Sequence, residues 1–431
     1  MKVLIISHNP ITAQSNMGKT FLTLFSSFAK DELCQIYIYP TIPNQSKCGS
    51  YYRMTDKDML GWLLKRKKIG RVISQEQVCE EAGIFEVPQD EALYRNPSNK
   101  SPIRRILRDL VWKLAKWKNA QLNGWLEQEK PDCIFVAPGV ACFLYDIALY
   151  VSKRLNIPIV TYICDEYFFV KKPRVGLDRL RLDVLHNRMR KLLGQTARLV
   201  VISEELRAAY ENYFGVPTTV LMTGSGFPVA QQVKVIQQPT EICYFGNIRC
   251  NRYRSLVEIG HELDQINQAT GSNFKLKIYS AEKNEAILSS FKEITSIELG
   301  GFVSGAAFDE AFRNSQLLLH VEAFDEASMD FVKHSVSTKI ADCLASGIPL
   351  LAYAPESVSS MQHLLRQQCA LTATSKAELR EMLLTAFSDH TKREQVVSNA
   401  LAAARRFHDL DRVGAEMYDM MEKISSRETR E

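Results

Sequence analysis

The sequence predicts an α/β protein built from two doubly wound, Rossmann-like domains. Three observations carry this. Short unbroken runs of Val, Ile and Leu alternate with helical patterns along most of the chain, the signature of parallel sheets covered on both faces. The alternating series restarts once, after a stretch rich in Gly and Pro. The 431 residues also exceed the roughly 100–200 residues of a common single domain.

In the first half the strand runs are Lys2–Ser7, Gln35–Tyr39, Cys133–Ala137, Ile157–Ile163 and Arg198–Ile202, with helices over Lys19–Ala29, Ala141–Leu155 and Asp178–Leu193. The polar stretch Lys65–Asn99 reads as a loop or small insertion. The linker is Thr223–Thr240, which holds Gly224, Gly226, Pro228 and Pro239. The second series has strands at Glu241–Phe245, Lys275–Ser280, Leu317–Glu322 and Ile348–Tyr353, with a helical pattern from Arg254. The expected domains are therefore 1–225 and 226–407.

Hydrophobic residues make up 46% and charged residues 24%, which excludes disorder, collagen and coiled coil as the main architecture. No apolar run reaches the roughly 18 residues of a membrane-spanning helix. The first residues read as a strand and not as a signal peptide. Ten scattered cysteines without a Cys-x-x-Cys pair read as reduced thiols in a cytoplasmic protein. The net charge of +5 is uneven: residues 1–225 carry 32 Lys/Arg against 22 Asp/Glu, and residues 226–431 carry 22 against 27. A basic half joined to an acidic half points to one half meeting an anionic surface.

Three stretches carry candidate chemistry. After the first strand, Asn16-Met17-Gly18-Lys19-Thr20 opens a helix. A phosphate loop needs a glycine where Ala13 stands, so a glycine turn lining a ligand cleft is the favoured reading, with a plain helix start and a nucleoside triphosphatase as the alternatives. The strand Glu241–Phe245 ends in Gly246-Asn247 and is followed by Arg249, Arg252 and Arg254. Guanidiniums at the carboxyl end of a parallel strand suit a diphosphate. In Ser335–Pro349, Ser337 and Thr338 can cap a helix whose first amides face the crevice. Lys339 in that first turn opposes the helix dipole unless an anion faces it. Asp342, three residues on, is placed to accept hydrogen bonds from a ribose.

These residues resemble the GT-B glycosyltransferases, specifically the retaining family-4-like group of bacterial surface polysaccharide synthesis. The matching elements are Phe245-Gly246 with Arg252, Leu318–Phe324, Lys339-x-x-Asp342, Ala345-Ser346-Gly347-x-Pro349, and Asn16-x-Gly18. The resemblance implies two Rossmann-like domains facing across a cleft, with a C-terminal helix (408–431) packing back on the first. It implies a hexosyltransferase-type enzyme that moves a sugar from a nucleotide diphosphate sugar to a glycan or lipid-linked acceptor with retention. It assigns the donor diphosphate to Arg252 and Lys339, which it makes the catalytic pair. It assigns further donor contacts to Gly246, Asn247, Glu322, Ser337, Thr338 and Asp342, and acceptor or cleft contacts to Asn16, Gly18 and Asp165. The chain departs from the family at Asn247, where an arginine is common, and at His334, where the first family glutamate would fall. Glu322 or Glu326 stands as its replacement. A sugar-nucleotide-binding subunit without turnover is the second rival.

No metal or other cofactor is expected, and no nucleic-acid partner. Asp56-Lys57-Asp58 and Asp409-Leu410-Asp411 read as helix starts, and the eight histidines show no ligand spacing. Residues Ser101–Ala120 form a basic amphipathic pattern. Arg104, Arg105, Arg108, Lys113, Lys116 and Lys118 stand against Asp109, with Ile103, Ile106, Leu107, Leu110, Val111, Leu114 and Trp117 at helical spacing and Trp112 and Trp125 near. With Lys65-Arg66-Lys67-Lys68, this predicts a cytoplasmic protein that binds peripherally to an anionic membrane face.

Overall fold

The computed structural model describes residues 1–12, 16–43, 46–78, 102–169 and 175–426. The chain forms two compact units, Met1–Leu221 with Val413–Glu431, and Met222–Arg412. The junction falls a few residues from the composition shift because hydrogen bonds set it. Leu221 N still donates to Val201 O at 2.9 Å in the first sheet. His408 Nδ1 lies 2.9 Å from Thr223 O and stays with the second unit.

In the first unit the strands are β1 Val3–Ser7, β2 Leu33–Tyr37, β3 Ser50–Arg53, β4 Arg71–Ile73, β5 Cys133–Ala137, β6 Ile159–Ile163, β7 Thr196–Val201 and β8 Thr218–Val220. Their order is β4-β3-β2-β1-β5-β6-β7-β8. Every neighbouring pair is parallel except β3 with β4. β1, β2, β5 and β6 are buried along their whole length, so their sequences are near-continuous apolar runs, interrupted only by the buried Ser7, Gln35 and Thr161. β3, β4 and β8, absent from the sequence reading, are three or four residues long and partly exposed. Strands that short leave no periodicity to read. Of the stretch Lys65–Asn99, residues 79–99 lie outside those described; the rest contains β4.

The second unit has β9 Glu241–Phe245, β10 Lys275–Tyr279, β11 Ile297–Gly301, β12 Leu317–Val321, β13 Leu350–Tyr353 and β14 Leu371–Ala373. Their order is β11-β10-β9-β12-β13-β14, all parallel. Apolar clusters around Ile242, Leu256 and Leu383, and around Phe245, Leu344 and Met361, form its core. β11 is half exposed at the sheet edge, which explains its weak signal.

The last helix, Leu410–Ser425, packs on the first unit. Tyr418 donates to Glu32 at 2.9 Å and its ring lies 4.9 Å from that of Phe28. Gly414 permits the contact, since a Cβ there would lie 2.0 Å from Ser26 Oγ. Both Asp-x-Asp stretches start helices. Asp56 and Asp58 sit in the first turn of Asp56–Lys65, capped by Thr55, and Asp409 accepts from Arg412 N at 3.0 Å.

Two expectations are corrected. Gly18 does not form a turn: the first helix is Asn16–Leu24 and holds Gly18 in its first turn. One helical glycine costs only about 1 kcal/mol, and buried Phe21 and Leu24 offset it. The tryptophans do not face outward. Trp112 is fully buried and stacks on Phe143 at 4.1 Å, Trp117 meets Tyr150 edge-on, and Trp125 donates to Ser50 Oγ at 2.7 Å.

His363 and His408 are buried together, with their Nε2 atoms 3.3 Å apart. Burial lowers His408 to about 4, with the Thr223 carbonyl opposing. Burial, His408 and Arg366 lower His363 to about 3. Between the ordinary histidine value of 6.5 and these values the unfolded chain binds more protons than the folded one, so stability falls as pH falls across that window. The melting temperature of the wild type should drop more steeply over this range than that of His363→Gln. Parallel pH profiles would show that the pair does not titrate on unfolding.

Candidate functional site

In the second sheet the chain runs outward from β9 through β10 to β11, then returns to β12 on the other side of β9. The carboxyl ends of β9 and β12 thus flank a topological switch point, where open α/β sheets bind ligands. β9 leads into Gly246 and β12 into Glu322.

Gly246 is required by close approach. A Cβ on it would lie 2.0 Å from Lys339 Nζ and 3.2 Å from Tyr244 Oη. The turn that follows is locally braced. Asn247 accepts from Arg249 N at 2.7 Å through its side chain and from Tyr244 Oη at 2.8 Å through its carbonyl. Cys250 and Asn251 adopt left-handed backbone with φ of 54° and 58°. The helix then starts at Arg252, two residues before its apolar pattern becomes readable.

Arg252 is the one of the three guanidiniums that turns to the switch point. Its Nε and Nη2 donate to Glu322 Oε2 and Oε1 at 2.7 and 2.9 Å. Arg249 pairs instead with Glu282 at 2.8 Å, and Arg254 is exposed beside the Tyr253 ring. The Glu322 side chain is 5% exposed and that of Arg252 20%. Burial raises the Glu322 pKa, and the charges of Arg252 and Lys339 oppose that rise. Burial alone would lower Arg252, but its bonds to Glu322 and that carboxylate's charge prevail and raise it. The fork uses two of the five guanidinium N–H donors, so three remain for a ligand.

Lys339 lies in the first turn of the helix Thr338–Ala345. Its ammonium is 5.8 Å from the centre of the Tyr244 ring. Water reaches the side chain, yet protein walls the ammonium closely enough that desolvation and the Arg252 charge lower its pKa. The exposed lysine ends beside Gly246 and the Tyr244 ring, in a recess shared with Arg252. His320, buried behind it with Nε2 3.2 Å from Ser360 Oγ, is driven to about 3 by burial and by both cations, and stays neutral. Two cations against one carboxylate leave this recess one positive charge.

The other expected donor residues take varied places. Ser337 holds the N-cap position, but its side chain makes no capping bond. Its carbonyl accepts from Ile340 N at 3.0 Å, so the first turn is tightened by backbone instead. Thr338 is the first helical residue. Asp342 Oδ1 accepts from Ser225 Oγ at 3.1 Å and Gly226 N at 2.8 Å, fastening the linker to the helix. Glu326 is exposed at the start of Glu326–Val332 and His334 lies in the loop after it. Between the two replacements considered for the family glutamate, Glu322 is therefore the one that lies at the switch point.

In the first unit Asn16 opens the first helix and Gly18 is buried within it. Asp165 follows β6 and accepts from Tyr167 Oη at 3.2 Å. Sequence reading missed a cluster beyond β1: Asp56 Oδ1 accepts from Arg108 Nε at 3.0 Å and Trp112 Nε1 at 2.6 Å, and Arg108 Nη2 lies 3.2 Å from His8 Nε2. Separations of 52 to 100 residues carry no local pattern that could have announced it. Among the described residues no group of three or more His, Cys, Asp or Glu could hold a metal ion.

Residues 261–419 match the family model described as "Glycosyl transferase-like". No curated protein matches the chain. Among solved structures, the chain is similar to Anabaena HepE in complex with UDP, with a TM-score of 0.63 and 12% identity over 98% of this chain and 100% of that one. It is similar to sucrose-phosphate synthase from Thermosynechococcus elongatus, with a TM-score of 0.58 and 9% identity over 98% and 99%. It is also similar to an α,α-trehalose-phosphate synthase (UDP-forming) from Burkholderia xenovorans in complex with glucose-6-phosphate, with a TM-score of 0.56 and 10% identity over 99% and 100%. These likenesses and the two parallel sheets define the class of the fold as that of the GT-B glycosyltransferases.

Arg252→Ala strands the buried Glu322 carboxylate without its cation, a change that typically costs about 3–5 kcal/mol. The variant should unfold at lower denaturant concentration than the wild type, and Arg252→Met with Glu322→Met should recover most of the loss. A double variant no more stable than Arg252→Ala would show that the ion pair does not set this cost.

Proposed function

We propose that the chain is a glycosyltransferase that takes its sugar from a nucleoside diphosphate sugar, with the diphosphate at the switch point of the second unit. The observation that carries this is the pairing of the wetted Lys339 with the Glu322-braced Arg252, two cations with one carboxylate at the ends of β9 and β12. A diphosphate brings the negative charge that this recess lacks. It also explains Gly246, whose missing side chain leaves room for the ammonium. UDP in the HepE structure and "UDP-forming" in the description of the trehalose-phosphate synthase support a uridine nucleotide as the first donor to try.

Chemically, the residues serve departure of the nucleotide. Charge builds on the leaving phosphate oxygen as the glycosidic bond breaks, and fixed cations stabilise it more in the transition state than in the ground state. Lys339 and the remaining donors of Arg252 supply that, together with the first-turn amides of Thr338–Ala345. Glu322 is a positioning residue, holding the guanidinium plane by two bonds. The resemblance to the retaining family-4-like group favours retention, a glycan or lipid-linked acceptor, and a place in surface polysaccharide synthesis. The acceptor is assigned to the first unit, where His8, Arg108 and Asp165 stand beyond the carboxyl ends of β1 and β6.

Lys339→Ala should lower donor kcat/KM by about thirtyfold or more, since losing a desolvated charge contact costs about 2–5 kcal/mol, while the thermal melt stays near that of the wild type. Unchanged turnover would remove the assignment. UDP binding without sugar transfer to any acceptor would leave a sugar-nucleotide-binding subunit.

The two cations also replace the neutralising role of a divalent ion, so activity should persist in excess EDTA. A complete loss restored by Mn²⁺ would contradict that part of the reading. The binding form of Lys339 is the protonated one, and its pKa is lowered. UDP affinity should therefore weaken on the alkaline side at lower pH than an ordinary lysine would dictate. Lys339→Arg should move the loss upward.

A further inference from the structure

The first sheet has a switch point of its own. The chain runs outward from β1 through β2 to β3 and β4, then returns to β5 on the other side of β1. The carboxyl ends of β1 and β5 therefore flank a second place where an open α/β sheet takes a ligand. His8 follows β1 directly, and Phe143 is the second residue of the helix Cys142–Leu155 after β5. Arg108, on the helix Pro102–Leu114, reaches both. Its Nη2 lies 3.2 Å from His8 Nε2, and its guanidinium carbon lies 4.9 Å from the centre of the Phe143 ring.

The contacts fix the state of each group. Arg108 Nε donates to Asp56, 3.0 Å from Oδ1 and 2.9 Å from Oδ2, and the Trp112 indole anchors that carboxylate at 2.6 Å. A guanidinium only donates, so His8 Nε2 is the acceptor in its pair with Arg108. The neutral ring then carries its proton on Nδ1, which faces Asn9 Oδ1 at 3.0 Å. Burial and the Arg108 charge lower the His8 pKa, so the ring stays neutral with its Nε2 lone pair engaged. His8 is thus a positioning residue and not a base. The Arg108 side chain is 30% exposed, held by its neighbours but not enclosed by them.

The two units repeat one device where their strand orders reverse: an arginine braced by a carboxylate beside a neutral histidine. They differ in charge. His320 senses two cations, Arg252 and Lys339. His8 senses one cation and one carboxylate, Arg108 and Asp56, which oppose each other. The second recess lacks an anion, and the first carries its own.

We propose that the recess of the first unit binds an uncharged, hydroxylated ring, a sugar of the acceptor. Arg108 selects it by donating to neighbouring hydroxyl oxygens, while Asp56 cancels the charge that would otherwise draw a phosphate. The planar fork of a guanidinium presents parallel N–H donors, a match for adjacent hydroxyls. Asp56 and His8 act through Arg108, as positioning residues. The word acceptor rests on the transferase reading; the recess and its preference for an uncharged ligand do not.

The test is saturation-transfer NMR on the full chain, with and without UDP, against the methyl glycosides of glucose, galactose, mannose and N-acetylglucosamine, each compared with its 6-phosphate. At least one neutral glycoside should bind, and its 6-phosphate should bind no tighter. Arg108→Lys keeps the charge but loses the fork, and should weaken that binding by about tenfold or more. Asp56→Asn keeps an oxygen for Arg108 and removes the charge. It should raise affinity for the 6-phosphate relative to the neutral glycoside by about fivefold or more. An ion pair that served only to pack helices together would leave that ratio unchanged. Tighter binding of the 6-phosphate to the wild type, or glycoside affinity unchanged in Arg108→Lys, would overturn the proposal. UDP binding with no glycoside bound would also overturn it and leave the transferase reading standing. A glycoside bound without UDP binding at any concentration would do the reverse.

Discussion

Two cations and one carboxylate meet where the strand order of the second sheet reverses, and the surrounding structure is arranged to keep them there. Glu322 at the end of β12 and Arg252 at the start of its helix are 70 residues apart in sequence. Their two-point contact needs the parallel pairing of β9 with β12, the left-handed turn at Cys250 and Asn251, and the Ser255 hydroxyl on the Glu322 carbonyl. A buried ion pair of this kind is weak evidence for stability, because desolvation offsets much of the attraction. It is better evidence for a fixed guanidinium plane. The ammonium of Lys339 shares the Glu322 carboxylate with Arg252, and desolvation and the Arg252 charge lower its pKa.

A bound anion would offset that desolvation and repulsion. A lysine in the first turn of a helix is repelled by the dipole, and Arg252 repels it further. The same logic explains why Gly246 cannot carry a side chain and why neutral His320 lies behind the cations, where a charged ring would only add to the repulsion. Asp342 serves a different need. By holding Ser225 and Gly226 it ties the helix that carries Lys339 to the linker, so the position of the ammonium and the start of the second unit are set by one side chain.

Much of the fold was legible because parallel strands buried on both faces are mostly apolar. β1, β5, β9 and β12 could be read almost to the residue for that reason. The edge strands could not: β4, β8 and β14 are three residues long, and β11 is half exposed. In the site, Lys339, Arg252 and Gly246 were legible from local motifs around strand ends. What sequence could not show was the partner of each group: that Glu322 braces Arg252, that Asp342 holds the linker, or that Arg108, Asp56 and Trp112 lock together near His8. Those contacts join distant segments and follow from packing. The amphipathic helix is the instructive case. Its periodicity was plain, but which of its two apolar sides was buried against the neighbouring helices was decided by Trp112 finding Phe143 and Asp56.

The account stands most directly on where a nucleoside diphosphate lowers backbone mobility. Hydrogen exchange followed by mass spectrometry, with and without UDP, should show protection confined to the turn 246–252 and the first turn of the helix at Thr338, with the first helix around Gly18 unchanged. Protection at Gly18 instead, or saturating UDP that leaves both segments of the second unit unprotected, would contradict the claim that the recess at β9 and β12 is the diphosphate site.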